Sequence, residues 1–128
     1  MPSAGARSPL TWRTLVDNDC LFCRIVRGEI PAKVVAETED AVAFRDIDPK
    51  APVHVLVIPR EHVTSLSEAQ DPAMVGRLAL LAAQIAEREG IADSGFRTVI
   101  NTNGDAGQTV PHLHLHLLGG RPMRWPPG

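Results

Sequence analysis

The chain has 128 residues, a formal net charge of -2 and a hydrophobic fraction of 44%. That length fits one domain large enough to bury a core without disulfide staples. The charge excludes a surface built to ride on nucleic acid or an anionic membrane, and no apolar run approaches the ~20 residues that span a bilayer.

Residues 1–17 carry Arg7 and Arg13 but no apolar segment of secretory type, and Pro2, Gly5 and Pro9 break them up. They are expected to form a flexible N-terminal extension, with the folded domain in 18–128. Cys20 and Cys23 are the two cysteines, spaced C-x-x-C. A lone pair so close in sequence is a poor disulfide framework and points to a reducing compartment, here the cytoplasm. Leu21, Phe22, Ile25 and Val26 then make a short apolar stretch ending at Gly28, a helix followed by Pro31 as a stop.

Three strand-like runs follow, at 33–37, 41–46 and 54–59. In the second, Val42, Phe44 and Asp46 alternate with Ala41, Ala43 and Arg45. The third is rich in Val, Leu and Ile and closes at Pro59, while Pro49 and Pro52 keep the preceding loop out of any central strand. Asp71-Pro72 is a helix start, an acidic N-cap followed by proline. From there Met74, Val75, Leu78, Leu81, Ala82 and Ile85 recur at helical spacing until Gly90. A fourth strand is expected at 97–101, a Gly/Asn/Asp turn cluster at 103–107 and a last strand at 112–118, broken by Gly119-Gly120. Five short strands with one long and one short helix predict an α+β domain with a mostly antiparallel sheet.

The last of these strands reads His-Leu-His-Leu-His-Leu-Leu. Strand alternation places His112, His114 and His116 on one face and the leucines on the other, so the leucines pack and the imidazoles line an open face. Histidines two apart on a strand stand ~6.5–7 Å from each other, a spacing that suits one phosphate and its leaving group. A zinc site is the rival use of such a row. The preceding loop favours an anion: Gly107 lets a ligand approach the backbone, and Gln108 and Thr109 offer donors to phosphoryl oxygens. Neutral imidazole is a nucleophile near neutral pH, and its phosphorus adduct is labile to water.

These residues resemble the histidine triad (HIT) family, whose signature is His-φ-His-φ-His-φ-φ with φ apolar. The likeness extends through Arg27-Gly28-Glu29-Ile30-Pro31-Ala32-Lys33, Phe44-Arg45-Asp46-Ile47, Val57-Ile58-Pro59-Arg60 and the Trp125-Pro126-Pro127-Gly128 tail, which is similar to the Hint branch. It implies His114 as nucleophile on the α-phosphorus, His116 beside the phosphate and leaving group, His112 as the orienting partner and His54 as a fourth histidine. It further implies Asp46 on the ribose hydroxyls, Phe22, Ile25, Phe44, Ile47 and Leu56 as apolar walls around the base, and Asn101, Gly107 and Thr109 as a phosphate cradle. The reaction implied is hydrolysis of purine nucleoside phosphoramidates or acyl-nucleotides, with no cation needed for the chemistry, by a homodimer joined edge to edge through its sheet. Hydrolysis of dinucleoside polyphosphates and non-catalytic nucleotide binding remain as rival functions.

Two features depart from the eukaryotic Hint pattern. Pro111 stands where that pattern has an aromatic residue, and the C-x-x-C pair resembles bacterial relatives in which two cysteines and two histidines hold zinc. The matching residues are Cys20, Cys23, His62 and His112. Structural zinc and a pair of small buried thiols both stay open as readings of these residues.

Overall fold

The structure, a computed structural model, describes residues 20–128; the expected flexible extension at 1–17 lies outside the described residues. Helix α1 (Leu21–Val26) leads into β1 (Val34–Glu37), β2 (Ala41–Arg45) and β3 (Val53–Pro59). A single turn of 3-10 helix at Leu66–Glu68 precedes the long helix α2 (Pro72–Arg88), and then come β4 (Phe96–Ile100), the short α3 (Asn103–Ala106) and β5 (Leu115–Gly119). The five strands form one wholly antiparallel sheet in the order β1-β2-β3-β5-β4. This is the expected α+β architecture, with α2 as the one long helix.

Both helix signals act as the sequence implies. Asp71 accepts from Ala73 N–H at 3.0 Å as the N-cap of α2, and Pro72 fills the first helical position, where no N–H partner is needed. At the far end Gly90 takes φ +77, while its N–H and that of Ile91 return to the carbonyls of Glu87 and Ala86. That is the paired bonding of a left-handed glycine cap, and Ile91 is drawn into the core beneath it. The same pairing closes α1 at Gly28.

The period-2 alternation in the strands divides the sheet between two apolar layers. Ala41, Ala43, Val55, Val57, Leu113, Leu115 and Leu117 face α2, meeting Met74, Leu78, Leu81, Ala82 and Ile85. Val42, Phe44, Leu56 and Ile58 face the other way and are covered by α1 through Cys20, Phe22 and Cys23. β3 lies at the centre of the sheet and is buried from His54 onward, as expected of a strand covered on both faces.

The last strand differs from the expectation of 112–118. Its ladder begins only at Leu115, opposite Val57. The reason lies in the partner strand: β3 ends at Pro59, which has no N–H to offer. The amides before Leu115 find other acceptors, His112 N–H on Val110 and Leu113 N–H on Val63. The side-chain alternation survives without the ladder, since Leu113 stays in the α2 layer while His112 and His114 point to the other side. The turn cluster at 103–107 is likewise more ordered than expected: Asn103 adopts φ +66 and residues 103–106 coil into α3 before Gly107 at φ +87.

Candidate active site

Sheet register brings the histidines together. Across β3 and β5, His54 stands opposite Leu118 and Leu56 opposite His116, so His54 and His116 are diagonal neighbours on one face. Their rings meet with Nε2 of His54 2.9 Å from Nδ1 of His116. The ring centroids are 5.2 Å apart, so the two nitrogens lie nearly on the line between the rings. This geometry is a ring-to-ring hydrogen bond. The nearby Asp46 carboxylate, 3.5 Å from His54 Nε2, does not convert the group into an ion cage, because the two nitrogens point at each other and not at a common centre.

Neighbouring donors and acceptors set the tautomers. Lys50 N–H donates to His54 Nδ1 at 3.0 Å, so the neutral His54 ring carries its proton on Nε2 and donates it to His116 Nδ1. His116 then holds its own proton on Nε2. His114 is arranged oppositely: Nδ1–H donates to the backbone carbonyl of His112 at 2.7 Å, which leaves the lone pair on Nε2. The rings of His114 and His116 are 5.0 Å apart. One face of the sheet thus presents a lone pair on one imidazole and an N–H on the next.

Burial keeps the His116 and His54 rings uncharged. His116 is pushed from its ordinary 6.5 down to about 4, first by burial and then by the neighbouring rings of His114 and His54, with Asp46 opposing. His54 is also lowered, chiefly by burial and further by Lys50, against the pull of Asp46 and Asp48. The neutral forms assigned to His54 and His116 are therefore favoured at neutral pH.

The expected open face of imidazoles is only partly realised. His116 is partly exposed, His114 is 5% exposed and His112 is sealed. The covering element is α1, whose Phe22 ring stands edge-on to His114 at 5.1 Å and to His112 at 5.9 Å. The ring of His112, expected among the catalytic groups, is packed against the cysteines, and it is the His112 backbone carbonyl that orients His114.

Of the apolar residues expected to wall the base, Phe22, Phe44 and Leu56 are buried together beside the histidines, and Ile25 packs on them partly exposed. Ile47 stands apart from that cluster and is 100% exposed. β2 ends at Arg45, and Asp46 Oδ1 then accepts from Asp48 N–H at 2.8 Å, a local turn that swings Ile47 outward. The second carboxylate oxygen of Asp46 faces His54.

Gln108 is engaged within its own loop. Its Nε2 donates to the carbonyls of Thr64 and Val110, and its Oε1 accepts from Asn103 N–H. With both amide hydrogens engaged in this arrangement it braces the loop. Gly107 and Thr109 are exposed in the same loop, and Asn101 is partly buried just before it. Gln108 and Thr109 also line a polar cleft of about 400 Å³ with Thr64, Ser65, Ser67 and Glu68. Sequence reasoning missed that wall; the hydroxyl-rich run after His62 was its only signal.

Cys20, Cys23, His62 and His112 come from three separate parts of the chain and place their four ligand atoms within 4.8 Å of one another. Cys20 Sγ lies 3.3 Å from His112 Nδ1, and Cys23 Sγ lies 3.2 Å from His62 Nδ1 and 3.5 Å from His112 Nδ1. Bonds of ~2.3 Å to sulfur and ~2.0–2.1 Å to nitrogen in a tetrahedron put S and N roughly 3.5 Å apart, so the residues fit zinc. His112 Nε2 donates to the Pro59 carbonyl at 2.9 Å, which directs the Nδ1 lone pair at the sulfurs, the usual support of a metal-bound histidine. Four protein ligands leave no open position, so an ion here would hold structure and take no part in substrate chemistry.

Fold and site together define a small antiparallel α+β domain with a lone-pair imidazole and a proton-bearing imidazole side by side on one sheet face. Comparison with known proteins gives that class its family. The family model described as HIT domain matches residues 27–123, and the chain belongs to the HIT family. It is 50% identical over 115 residues to an uncharacterized HIT-like protein of Synechococcus elongatus, covering 88% of this chain and 100% of the relative. It is 45% identical over 107 residues to the purine nucleoside phosphoramidase of Escherichia coli K12, covering 82% of this chain and 90% of the relative. Among solved structures, a HIT family hydrolase from Legionella pneumophila superposes with a TM-score of 0.84 at 47% identity, covering 86% of this chain and 100% of that one. A histidine triad protein from Clostridium difficile superposes with a TM-score of 0.79 at 41% identity, covering 83% and 94%.

Proposed function

We propose that the protein is a nucleotide hydrolase that cleaves purine nucleoside phosphoramidates or acyl-nucleotides through a nucleotidyl group carried on His114. The observation that carries this reading is the opposed pair of tautomers, lone pair on His114 Nε2 and proton on His116 Nε2. His114 Nε2 attacks the α-phosphorus, and the bond from phosphorus to the leaving nitrogen or acyl oxygen breaks. His116 Nε2–H passes its proton to that leaving atom, and the negative charge left on the ring is balanced by the positive charge that the His114 ring gains beside it. The His112 carbonyl continues to accept from Nδ1–H and stabilises the charge that the His114 ring acquires. Water then attacks phosphorus and gives a proton to His116 Nε2. The nitrogen–phosphorus bond breaks, releasing the nucleoside monophosphate and restoring both rings.

Asp46 receives the ribose hydroxyls with its carboxylate, and Phe22, Phe44 and Leu56 bound the base. Gly107 and Thr109 receive the phosphate. The likeness to the phosphoramidase of Escherichia coli supports an amine as leaving group. The protein acts as a homodimer joined along β4, which forms one edge of the sheet and has Phe96 partly exposed. Arg97 holds the tail beside that edge by donating to the Arg124 carbonyl, and Trp125, 82% exposed just beyond, reaches the partner's leaving-group side. No helix among the described residues is long and apolar enough to cross a membrane, and no disulfide joins the close pair Cys20 and Cys23, which supports work in a reducing compartment. Rapid quenching with an adenosine phosphoramidate should leave one nucleotidyl group on the His114 peptide by mass spectrometry. His114→Asn should bind the nucleotide and form no adduct. Turnover surviving in that variant would reject the assignment, and preferential turnover of a diadenosine polyphosphate would move the protein to a different branch of the family.

A further inference from the structure

The proposed reaction leaves the two cysteines and His62 unused, yet their cluster is joined to the nucleophile by short paths. His112 is wholly buried, with Nδ1 toward both sulfurs, Nε2–H on the Pro59 carbonyl and its own carbonyl accepting from His114 Nδ1. The next residue, Leu113, donates its N–H to the carbonyl of Val63, which directly follows His62. Both histidines of the cluster are therefore linked through one residue to the backbone that carries His114. A further path runs through α1. Cys20 caps that helix by accepting from Cys23 N–H, and between the two cysteines Phe22 sets its ring against His114.

We propose that Cys20, Cys23, His62 and His112 form a metal clamp that positions the nucleophile. An ion held by these four fixes the His112 carbonyl and the Phe22 ring together, and so keeps His114 in the single tautomer with its lone pair on Nε2. The four are positioning residues, since none of their side chains meets substrate. Without the ion, the His112 ring keeps its bond to Pro59 but meets the two cysteines only through weak thiol contacts, so α1 and His62 are no longer tied to it. The backbone at 112–113 and the Phe22 ring then lose their common anchor, and the His112 carbonyl holds His114 less firmly. The inference rests on the reading of His114 as the nucleophile, but its test does not depend on turnover alone.

The full chain, labelled with nitrogen-15 at histidine, should hold one zinc per chain by native mass spectrometry. Loading with cobalt in place of zinc should give the visible absorption of a tetrahedral site with thiolate ligands. In the loaded protein, long-range proton–nitrogen spectra should show His114 as one tautomer with the proton on Nδ1. After chelation, at a temperature where circular dichroism shows the chain folded, that pattern should average between tautomers. Removal of the ion should lower kcat by about tenfold or more with KM little changed, the loss typical of removing a group that orients another. Zinc should restore both. His62→Ala should behave like the metal-free chain, and His62→Cys, which keeps a ligand, should behave like the loaded one. An unchanged His114 tautomer and kcat after metal removal would overturn the clamp. So would a chain that unfolds at every temperature once the ion is gone, since the ion would then hold the fold and not the nucleophile. A metal-dependent tautomer in a chain that forms no nucleotidyl adduct would leave the clamp standing and sink the hydrolase reading instead.

Discussion

Replacing His54 with leucine should disarm His116 without touching it. In the native site His54 Nε2–H donates to His116 Nδ1 across 2.9 Å, and Lys50 N–H fixes the proton of His54 on that nitrogen. Leucine fills much of the same space and offers no donor. Nδ1 of His116 is then an acceptor with its partner removed, at a cost of about 1–3 kcal/mol. The ring relieves that cost by moving its proton from Nε2 to Nδ1, where the nearby Asp46 carboxylate can accept it, and this takes the proton from the nitrogen proposed to serve the leaving group. A bias of about 1.4 kcal/mol corresponds to tenfold in tautomer ratio, and general acid catalysis as a whole is worth roughly 10²–10⁴-fold. His54→Leu should therefore lower kcat by about 10- to 100-fold with an alkylamine leaving group, with KM for the nucleotide changed by less than about threefold. The loss should shrink with an acyl-nucleotide, whose carboxylate is far less basic than an amine nitrogen and gains less from the proton. His54→Gln, whose amide can donate to His116, should recover part of the rate. Steady-state kinetics on both substrate types, with proton–nitrogen spectra of His116, make the comparison. Equal losses on both substrates, or a His116 tautomer indifferent to the substitution, would refute the relay.

The lowered pKa of His116 also makes stability depend on pH. Its folded value of about 4 lies below the ordinary 6.5, so between those values the unfolded chain binds a proton that the folded chain refuses. Its contribution is complete above about 6.5 and lost as pH falls toward 4, by about 2 kcal/mol once partial solvation of the ring is allowed for. Denaturant unfolding at several pH values should show this slope in the native chain and a flatter one in His116→Gln; parallel curves would contradict it. Gln108→Ala removes three hydrogen bonds that tie the loop to Thr64, Val110 and Asn103. It should cost about 1–2 kcal/mol and speed amide exchange at Asn103, with KM raised more than kcat is lowered. Unchanged exchange at Asn103 would mean that the brace does not hold the loop.

Much of the fold was legible in local pattern. The Asp71-Pro72 start, the glycines after both helices and the alternation in each strand all act within a few residues, so no distant contact was needed to read them. The side on which His114 and His116 stand was legible for the same reason, since the period of two survives even where the ladder is missing. Ends of elements were less legible. The last strand begins three residues later than its pattern, because the decision belongs to Pro59 on the neighbouring strand. That Ile47 faces solvent was not legible either, because the turn in which Asp46 accepts from Asp48 N–H decides it.

The order of residues along the chain determined the histidine row, the spacing of its imidazoles and the two apolar faces, because each depends on neighbours two to four positions away. Only tertiary structure decided which nitrogen of each imidazole carries the proton, for that choice is made by backbone atoms, the amide of Lys50 and the carbonyls of His112 and Pro59. It likewise decided that His112 turns toward the cysteines while Gln108 braces its own loop. Backbone amides and carbonyls are the same at nearly every residue, so a string of side chains carries no record of which of them will be near.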